Sequence, residues 1–523
     1  MLTINVPINC IDTWQQVDAM HNFRRVRDSF LLLIISVLVS ACMVGPDFKS
    51  PTAPQAKRYT VNKLPSRTVS IPKAKQAGAA QHYQLQADVA KTWWQLFHSP
   101  LINRLVLLGM NNNPSITIAK ATLKQAQDSL AAQVGSTMLP AFNATATGTR
   151  QKPTNQPLNM FDLGIYNLFN AAFNVSYTFD FFGANRRQIE ASRAQVDYQS
   201  YELAAAYLAL TSNIVTTVIN AAALQAQVEA TEAIIADMKK QLKIVNSQFQ
   251  LGSVARSSVL TQQTLLAQMQ ATLPALQQNL TQNLHALAIL IGLPPSEAQF
   301  NKIRLSDLHL PTHLPVTLPS VLVKQRPDIL AAEAQLHVAL AQVGVATANL
   351  FPQITLTGSY GWTNPVPSNL FHGASNVWNI AGGLTQPLFQ GGALFAQRRA
   401  AIAGAEAAAA QYKQTVLAAF KQVADTLRAL QHDAEALRAQ QDAVTAAQTA
   451  LTLTKQQFKL GGTSFLELLT TQQQYQQAQL NYLQTLATRY NDTAALFAAL
   501  GGGWWSNRKL ITSAAFVYVK DVS

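Results

Sequence analysis

The second half of this chain repeats the first at a constant offset. Phe249-Gln250-Leu251-Gly252 returns as Phe458-Lys459-Leu460-Gly461, and Val134-Gly135 returns as Val343-Gly344. Gly183 returns as Gly392, and Ile291-Gly292 as Leu500-Gly501; every pair is 209 positions apart (392 − 183 = 209). Register is kept without a gap from the Gly183/Gly392 pair to the Gly292/Gly501 pair. Such self-similarity sets the architecture before any site is considered, because each unit buries its apolar face against its neighbours. A duplicated chain of this kind is expected to supply one wall of a symmetric object.

The N-terminal sequence reads as an address. Met20 precedes Arg24, Arg25 and Arg27, then the apolar run from Phe30 to Val39, then Val39-Ser40-Ala41-Cys42. A basic stretch, a short apolar stretch and small residues before a cut describe a secretory signal, too short for a stable membrane helix. Cys directly after the small residues specifies a bacterial lipoprotein signal, with Cys42 as the lipid-bearing residue; a buried free thiol is the competing reading. Residues before Met20 include Asp12 and Asp18 and fit no signal region, so Met20 is the expected start. Position 43 is Met rather than an inner-membrane-retaining Asp, which favours the outer membrane.

The only cysteines are Cys10 and Cys42, so no internal disulfide is expected in the mature chain. The formal charge of +13 raises the question of nucleic acid, but only 12% of residues are charged. Basic residues are scattered, with no run longer than a pair such as Arg186-Arg187 or Arg398-Arg399 outside the signal. The excess reads as solvated surface, and no nucleic-acid partner is expected.

Residues 46–82 are rich in Pro, Lys, Gln and Thr and read as an extended lead-in without a core of its own. Trp93-Trp94-Gln95-Leu96-Phe97 opens helical sequence that runs to 137, interrupted by the turn Asn111-Asn112-Asn113-Pro114. After Leu139-Pro140 the period changes from 3.6 to 2. Phe173, Val175, Tyr177 and Phe179 alternate with Asn174, Ser176 and Thr178; Ile354, Leu356 and Tyr360 alternate with Thr355, Thr357 and Ser359, and Trp378, Ile380 and Leu384 mark a partner strand. Each half thus offers two strands of about ten residues, enough to cross a bilayer at a tilt. A soluble β-sandwich hairpin fits the same strand length.

A very long helix follows each hairpin. No Pro occurs from Ala393 to Lys455, and Val416, Phe420, Val423, Leu427, Leu430, Ala434 and Leu437 form a heptad seam. About 60 helical residues reach roughly 90 Å. A return helix carries Leu480, Leu483, Ala487, Tyr490, Ala494 and Phe497 at the same spacing. Gln472, Gln473, Gln474, Gln476, Gln477 and Gln479 read as a neutral polar surface suited to a water-filled lumen, or as a Gln-rich face in bulk solvent.

Four membrane-length strands cannot close a barrel, since about eight is the smallest closed number. Open edges in lipid leave backbone groups unpaired at a cost of several kcal/mol each. If these strands cross a membrane, copies of the chain share one barrel.

Several short motifs now fall into an order. Cys42-Met43-Val44-Gly45-Pro46-Asp47-Phe48, Trp93-Trp94-Gln95-Leu96-Phe97, Arg326-Pro327-Asp328-Ile329, Ala331-Ala332-Glu333, Phe351-Pro352 and Gln386-Pro387-Leu388-Phe389-Gln390-Gly391-Gly392 are each weak alone and specific together. In this order they resemble the outer-membrane factor family (TolC/OprM-like), and within it the NodT-type efflux lipoproteins. The resemblance spans Cys42 to about Trp505. It implies an α+β membrane protein: a homotrimer whose protomers give four strands each to a twelve-stranded outer-membrane β-barrel. Long helical hairpins would form a periplasmic α-barrel of twelve helices, with a mixed equatorial domain. It implies a trimeric channel of a tripartite efflux system, of the RND or MFS type, passing drugs or other small toxic compounds to the exterior. The partners would be a periplasmic adaptor, an inner-membrane pump and outer-membrane lipid; no cofactor is expected beyond the lipid on Cys42. Alternatives are the exit duct of a type I protein secretion system and a lipoprotein coiled-coil scaffold without a pore.

The expected organisation is a signal at 1–41, a lead-in and anchor at 42–92, a first repeat at 93–310, a second at 311–505 and a tail at 506–523. The first repeat holds a β-hairpin at about 139–180 and a helical hairpin at about 184–291. The second holds them at about 352–389 and 393–500.

The family's helix-turn-helix tips map onto Leu251-Gly252-Ser253 and Leu460-Gly461-Gly462-Thr463, where the resemblance places adaptor docking and closure of the duct. Gly252 and Gly461 also suit a plain reversal between antiparallel helices, which needs a residue tolerant of φ > 0. For the periplasmic gate, relatives carry two acidic positions one helical turn apart after the second tip. Glu467 matches the first, but Thr470 stands at the second, so a single acidic ring is expected. Arg256 on the first-repeat tip is a candidate partner for an acid across helices. Glu467 equally reads as a solvated tip residue.

An enzyme finds no support in the sequence, which has no His-Glu-x-x-His, Gly-x-Ser-x-Gly, phosphate loop or Cys-x-x-Cys. Arg326, Asp328 and Glu333 read as residues that cap and pin the helix begun by Pro327.

Overall fold

The computed structural model describes residues 43–152 and 164–504. The expected signal, the expected lipid-bearing Cys42, Trp505 and the tail 506–523 lie outside the described residues. The first half contains β1 (His82–Leu85), α1 (Pro100–Asn112), α2 (Pro114–Met138), β2 (Ala141–Gln151), β3 (Tyr166–Phe179), α3 (Ala184–Gln250) and α4 (Arg256–Leu290). The second contains β4 (His313–Val316), α5 (Pro319–Leu322), α6 (Pro327–Ala348), β5 (Gln353–Asn364), β6 (Asn376–Thr385), α7 (Ala393–Lys459) and α8 (Phe465–Ala499). The chain forms two compact units. One takes its described residues from 1–49, 128–194 and 336–408, the other from 50–127, 195–335 and 409–523.

The fold is α+β with its repeat duplicated. Helices α3 and α7 are 67 residues each, and α4 and α8 are 35 each. Their first residues, 184 and 393 or 256 and 465, differ by 209. Glycine does the same work in both halves. Gly183 and Gly392, Gly252 and Gly461, and Gly292 and Gly501 all have positive φ, between 75° and 91°. Past the end of α3, Ser253 N–H donates to Gln248 O and Gly252 N–H to Phe249 O; past α7, Gly462 donates to Gln457 and Gly461 to Phe458. These are Schellman closures, in which a left-handed residue lets the chain satisfy the last helical carbonyls.

The sheet belongs to the first unit. Its order is β2-β3-β5-β6, antiparallel throughout. Pairing register puts Phe142, Phe173, Tyr360 and Trp378, with Val175, Leu356, Ile380 and Leu384, on one face. The opposite face carries Asn143, Thr145, Asn174, Ser176, Thr357, Ser359 and Asn379. The apolar face is exposed: Phe142 is 78% accessible, Trp378 70% and Ile380 71%. Aromatic clusters mark its two ends, Tyr177 with Phe179 at 5.1 Å and Tyr360 with Trp362 at 5.6 Å, the latter extended by Phe371. Among the described residues β2 and β6 have strand partners on one side only.

The second unit is built on the heptad seam. Val423, Leu427, Leu430, Ala434 and Leu437 of α7 are fully buried, as are Ala494 and Phe497 of α8. All of these but Ala434 join one core with Ile214, Val218 and Ile219 of α3 and with Trp93 and Phe97. Trp93 stacks on Phe497 at 5.5 Å, and the Tyr490 hydroxyl donates to Leu308 O. Asn113 closes the break between α1 and α2: its Oδ1 accepts from Ser115 N–H and its Nδ2 donates to Leu290 O at the end of α4.

Two expectations change here. The lead-in is not merely extended: it forms two short 3₁₀ turns over Pro72–Gly78, kinked at Lys75, and β1, which pairs in parallel with β4. Ile71 and Ala74 enter the main core. The glutamine run is also not one solvent face. Gln472 and Gln476 are buried, while Gln473, Gln474 and Gln477 are exposed. Residues four apart share a helix face, and 472 and 476 fall on the inward one, where Gln476 reaches Met238.

Candidate functional site

In the first unit the residues just after position 42 are tied down. Val44 N–H donates to Phe182 O, and Gly45 lies against Gly344 so closely that an added Cβ would sit 2.5 Å from the Gly344 Cα. Arg187, one turn into α3, is 1% exposed. It donates to the carbonyls of Val44 and Gly45, to Asp47 at 2.7 Å and to Glu190 at 2.8 Å. Glu190 also pairs with His337 of α6, whose ring stacks on Phe48 at 4.2 Å. The Arg186-Arg187 pair is therefore not solvated surface. Arg186 bonds Asp180, and Arg187 is the buried hub that holds the chain's leading segment. A basic pair alone carries no sign of which member turns inward.

In the second unit lie both tips and the gate candidates. Leu251 and Leu460 are 81% and 88% exposed, on turns with Gly252, Ser253, Gly461, Gly462 and Thr463. Ser464 caps α8, its Oγ accepting from the Glu467 N–H at 3.1 Å. Glu467 thus stands third in the helix, where an acid also favours the helix N-terminus. Glu467, Thr470 and Arg256 are all exposed, and Thr470 Oγ1 returns a bond to Leu466 O. No ion pair joins Arg256 to Glu467 within one chain among the described residues.

Sequence reasoning missed a second buried arginine. Arg489 of α8 is completely buried. It donates to Ala77 O at 3.0 Å and to Ala79 O at 2.8 Å, with Thr68 Oγ1 and Gln81 Oε1 also in reach. Its Nε has no partner, and Oδ2 of Asp433 on α7 is likewise buried and unpartnered. Burial brings the Arg489 guanidinium down to about 10. Burial, a hydrogen bond to Asp492 and the Asp492 charge push Asp433 up to about 7, with Arg489 opposing. Arg326, read as a pin, bonds Asp328 through two nitrogens and reaches Ala499 O at the end of α8.

An exposed apolar sheet face with open edges, duplicated helical hairpins and apolar turn tips are the features of a channel-forming membrane protein. The chain belongs to the outer membrane efflux protein family, whose pattern it matches over residues 108–293 and 318–502, once per repeat. It is 30% identical to the pyoverdine export outer membrane protein OpmQ of Pseudomonas aeruginosa, over 81% of this chain and 90% of that one. It is 28% identical to nodulation protein T of Rhizobium leguminosarum bv. viciae, over 93% and 94% of the two chains. Its fold superposes on the outer-membrane channel OprN with a TM-score of 0.79 and 26% identity, covering 88% of this chain and all of that one. It is an outer-membrane efflux channel.

Proposed function

We propose that three copies of this chain close one twelve-stranded barrel in the outer membrane and serve a tripartite efflux system. Its pump would lie in the inner membrane and its adaptor in the periplasm. One observation carries the reading: an exposed, apolar-faced sheet of four strands with two half-paired edges. Lipid leaves no water for those edge groups, and antiparallel β6 and β2 of successive copies satisfy them. From Ile354, paired with Phe179, to Trp362 is eight residues, about 27 Å along the strand, matching an apolar band of about 25 Å flanked by aromatic girdles.

Cys42 carries the lipid, next to a segment that Arg187 fixes. The tips at Leu251-Gly252-Ser253 and Leu460-Gly461-Gly462-Thr463 receive the adaptor through their exposed leucines. Three copies of Glu467 make the gate ring, with Thr470 leaving the second position neutral and Arg256 available to a neighbouring copy. The cargo is small toxic compounds or exported metabolites, as the names of the relatives suggest.

The test begins with mass measurement and planar-bilayer recording of detergent-purified protein. Three protomers and a conducting pore are expected, with cation preference reduced in Glu467→Gln. A non-conducting monomer removes the proposal, and unchanged selectivity removes the gate alone. Co-purification with an adaptor and drug susceptibility of a deletion strain identify the system served.

A further inference from the structure

The sheet's polar face is unusual in what it lacks. At every paired position of that face, over all four strands, there is no Asp, Glu, Lys, Arg or His. The one charged residue paired within the sheet, Arg150, falls on the other face by register with Asn167. Just past β3, Asp180 is occupied by Arg186 and by the N–H groups that open α3. Across the middle runs a continuous row. Asn143 is paired with Asn174, Asn174 with Ser359, and Ser359 with Asn379. Asn174 is oriented by donating to Thr145 Oγ1 at 3.0 Å, which leaves its carbonyl oxygen and a second N–H available.

We infer that this row is a hydrogen-bonding collar on a charge-silent exit lining, which passes cationic, anionic and neutral solutes without preference for sign. The inference rests on the proposed duct, in which this face meets water. An amide both donates and accepts, so it replaces part of the hydration of either ion type. A fixed charge favours one sign and holds it back from leaving. With no fixed charge on the wall, sign discrimination falls to whatever lies upstream, and the last stretch of the path only keeps the solute wet. Adjacent strands are about 4.8 Å apart, so a charge placed at one position of the row is felt at the next, well inside a Debye length of about 8 Å.

Cysteine reactivity reads this directly in the full-length protein in lipid. Asn174→Cys and Asn379→Cys are each treated with a cationic and an anionic thiosulfonate, with rates normalised to a free thiol and to the unsubstituted protein. Both reagents should react, with normalised rates differing by well under the tenfold that a field worth about 1.4 kcal/mol produces. Phe173→Cys, its side chain on the opposite face, should react with neither. Adding Asn143→Asp to the Asn174→Cys chain should then favour the cationic reagent several-fold. A tenfold bias without the added Asp overturns the inference, as does reaction at position 173 but not 174, or indifference to Asn143→Asp. Single-channel recording of the same samples separates the two readings. A conducting protein with biased rates sinks the charge-silent lining alone, whereas a protein that never conducts sinks the duct as well.

Discussion

Arg187 donates to Asp47 at 2.7 Å although 140 positions separate them. The two ends of that bond are unequal: Arg187 is 1% exposed and Asp47 77%. Its other bonds to Val44 O, Gly45 O and Glu190 make Arg187 the member on which the segment depends.

Replacing Arg187 with Met should therefore remove the donor shared by Val44 O, Gly45 O, Asp47 and Glu190, and cost about 1–3 kcal/mol. Asp47→Asn, at the exposed end, should cost about 1 kcal/mol or less. Limited proteolysis between 43 and 50 is the readout: cleavage should accelerate in Arg187→Met and barely change in Asp47→Asn. Equal protection in both variants would show that the glycine packing of Gly45 on Gly344 suffices.

Leu427→Ala opens the heptad seam at a fully buried position and should cost about 2–5 kcal/mol, part of it the cavity left behind. Chemical denaturation should show a lowered midpoint. An unaffected midpoint would mean the seam is not a cooperative part of the helical unit.

Gln472→Leu should act in the opposite direction. Its Oε1 is buried without a partner, so exchanging the amide for an apolar side chain of similar size should stabilise by about 1 kcal/mol. Thermal unfolding of the purified protein measures it.

Asp433 gives a pH dependence with a definite sign. Its folded value, about 7, lies above the unfolded value, so the folded state binds the extra proton. Its contribution is fully present below about pH 4 and is lost as pH rises through about 7. Asp433→Asn should unfold at a higher temperature than the unsubstituted protein at about pH 8, with the gap closing toward about pH 4. A gap that widens on acidification reverses the assignment.

Ser464→Ala removes the side-chain cap of α8 and should cost about 1 kcal/mol, felt at the tip where Glu467 begins the helix. Amide exchange should quicken over 465–468 and stay unchanged at the first-repeat tip, where Ala255 provides no such bond.

Much of the fold was written in local pattern. The period-2 alternation around Phe173 and Leu356 gives the face of each strand, and the seam from Val416 to Leu437 gives the buried stripe of α7. The glycine pairs give the reversals, because a left-handed backbone excludes most side chains. What the pattern left open was direction and partnership. Gln472 and Gln473 look alike in a polar run, yet one faces the core and the other water. Arg186 and Arg187 are adjacent, yet only the second is buried.

The sequence by itself determined the type of each main element and its amphipathic face, which follow from spacing of a few turns, and the duplication and the family, which follow from motifs recurring in order along the chain. Only the tertiary structure decided which polar groups go inside. Arg187 gathers Val44, Gly45 and Asp47, and Arg489 gathers Ala77 and Ala79. The physical reason is burial: a charge removed from water must find acceptors, and those acceptors are carbonyls brought from far along the chain by packing. No local period records them.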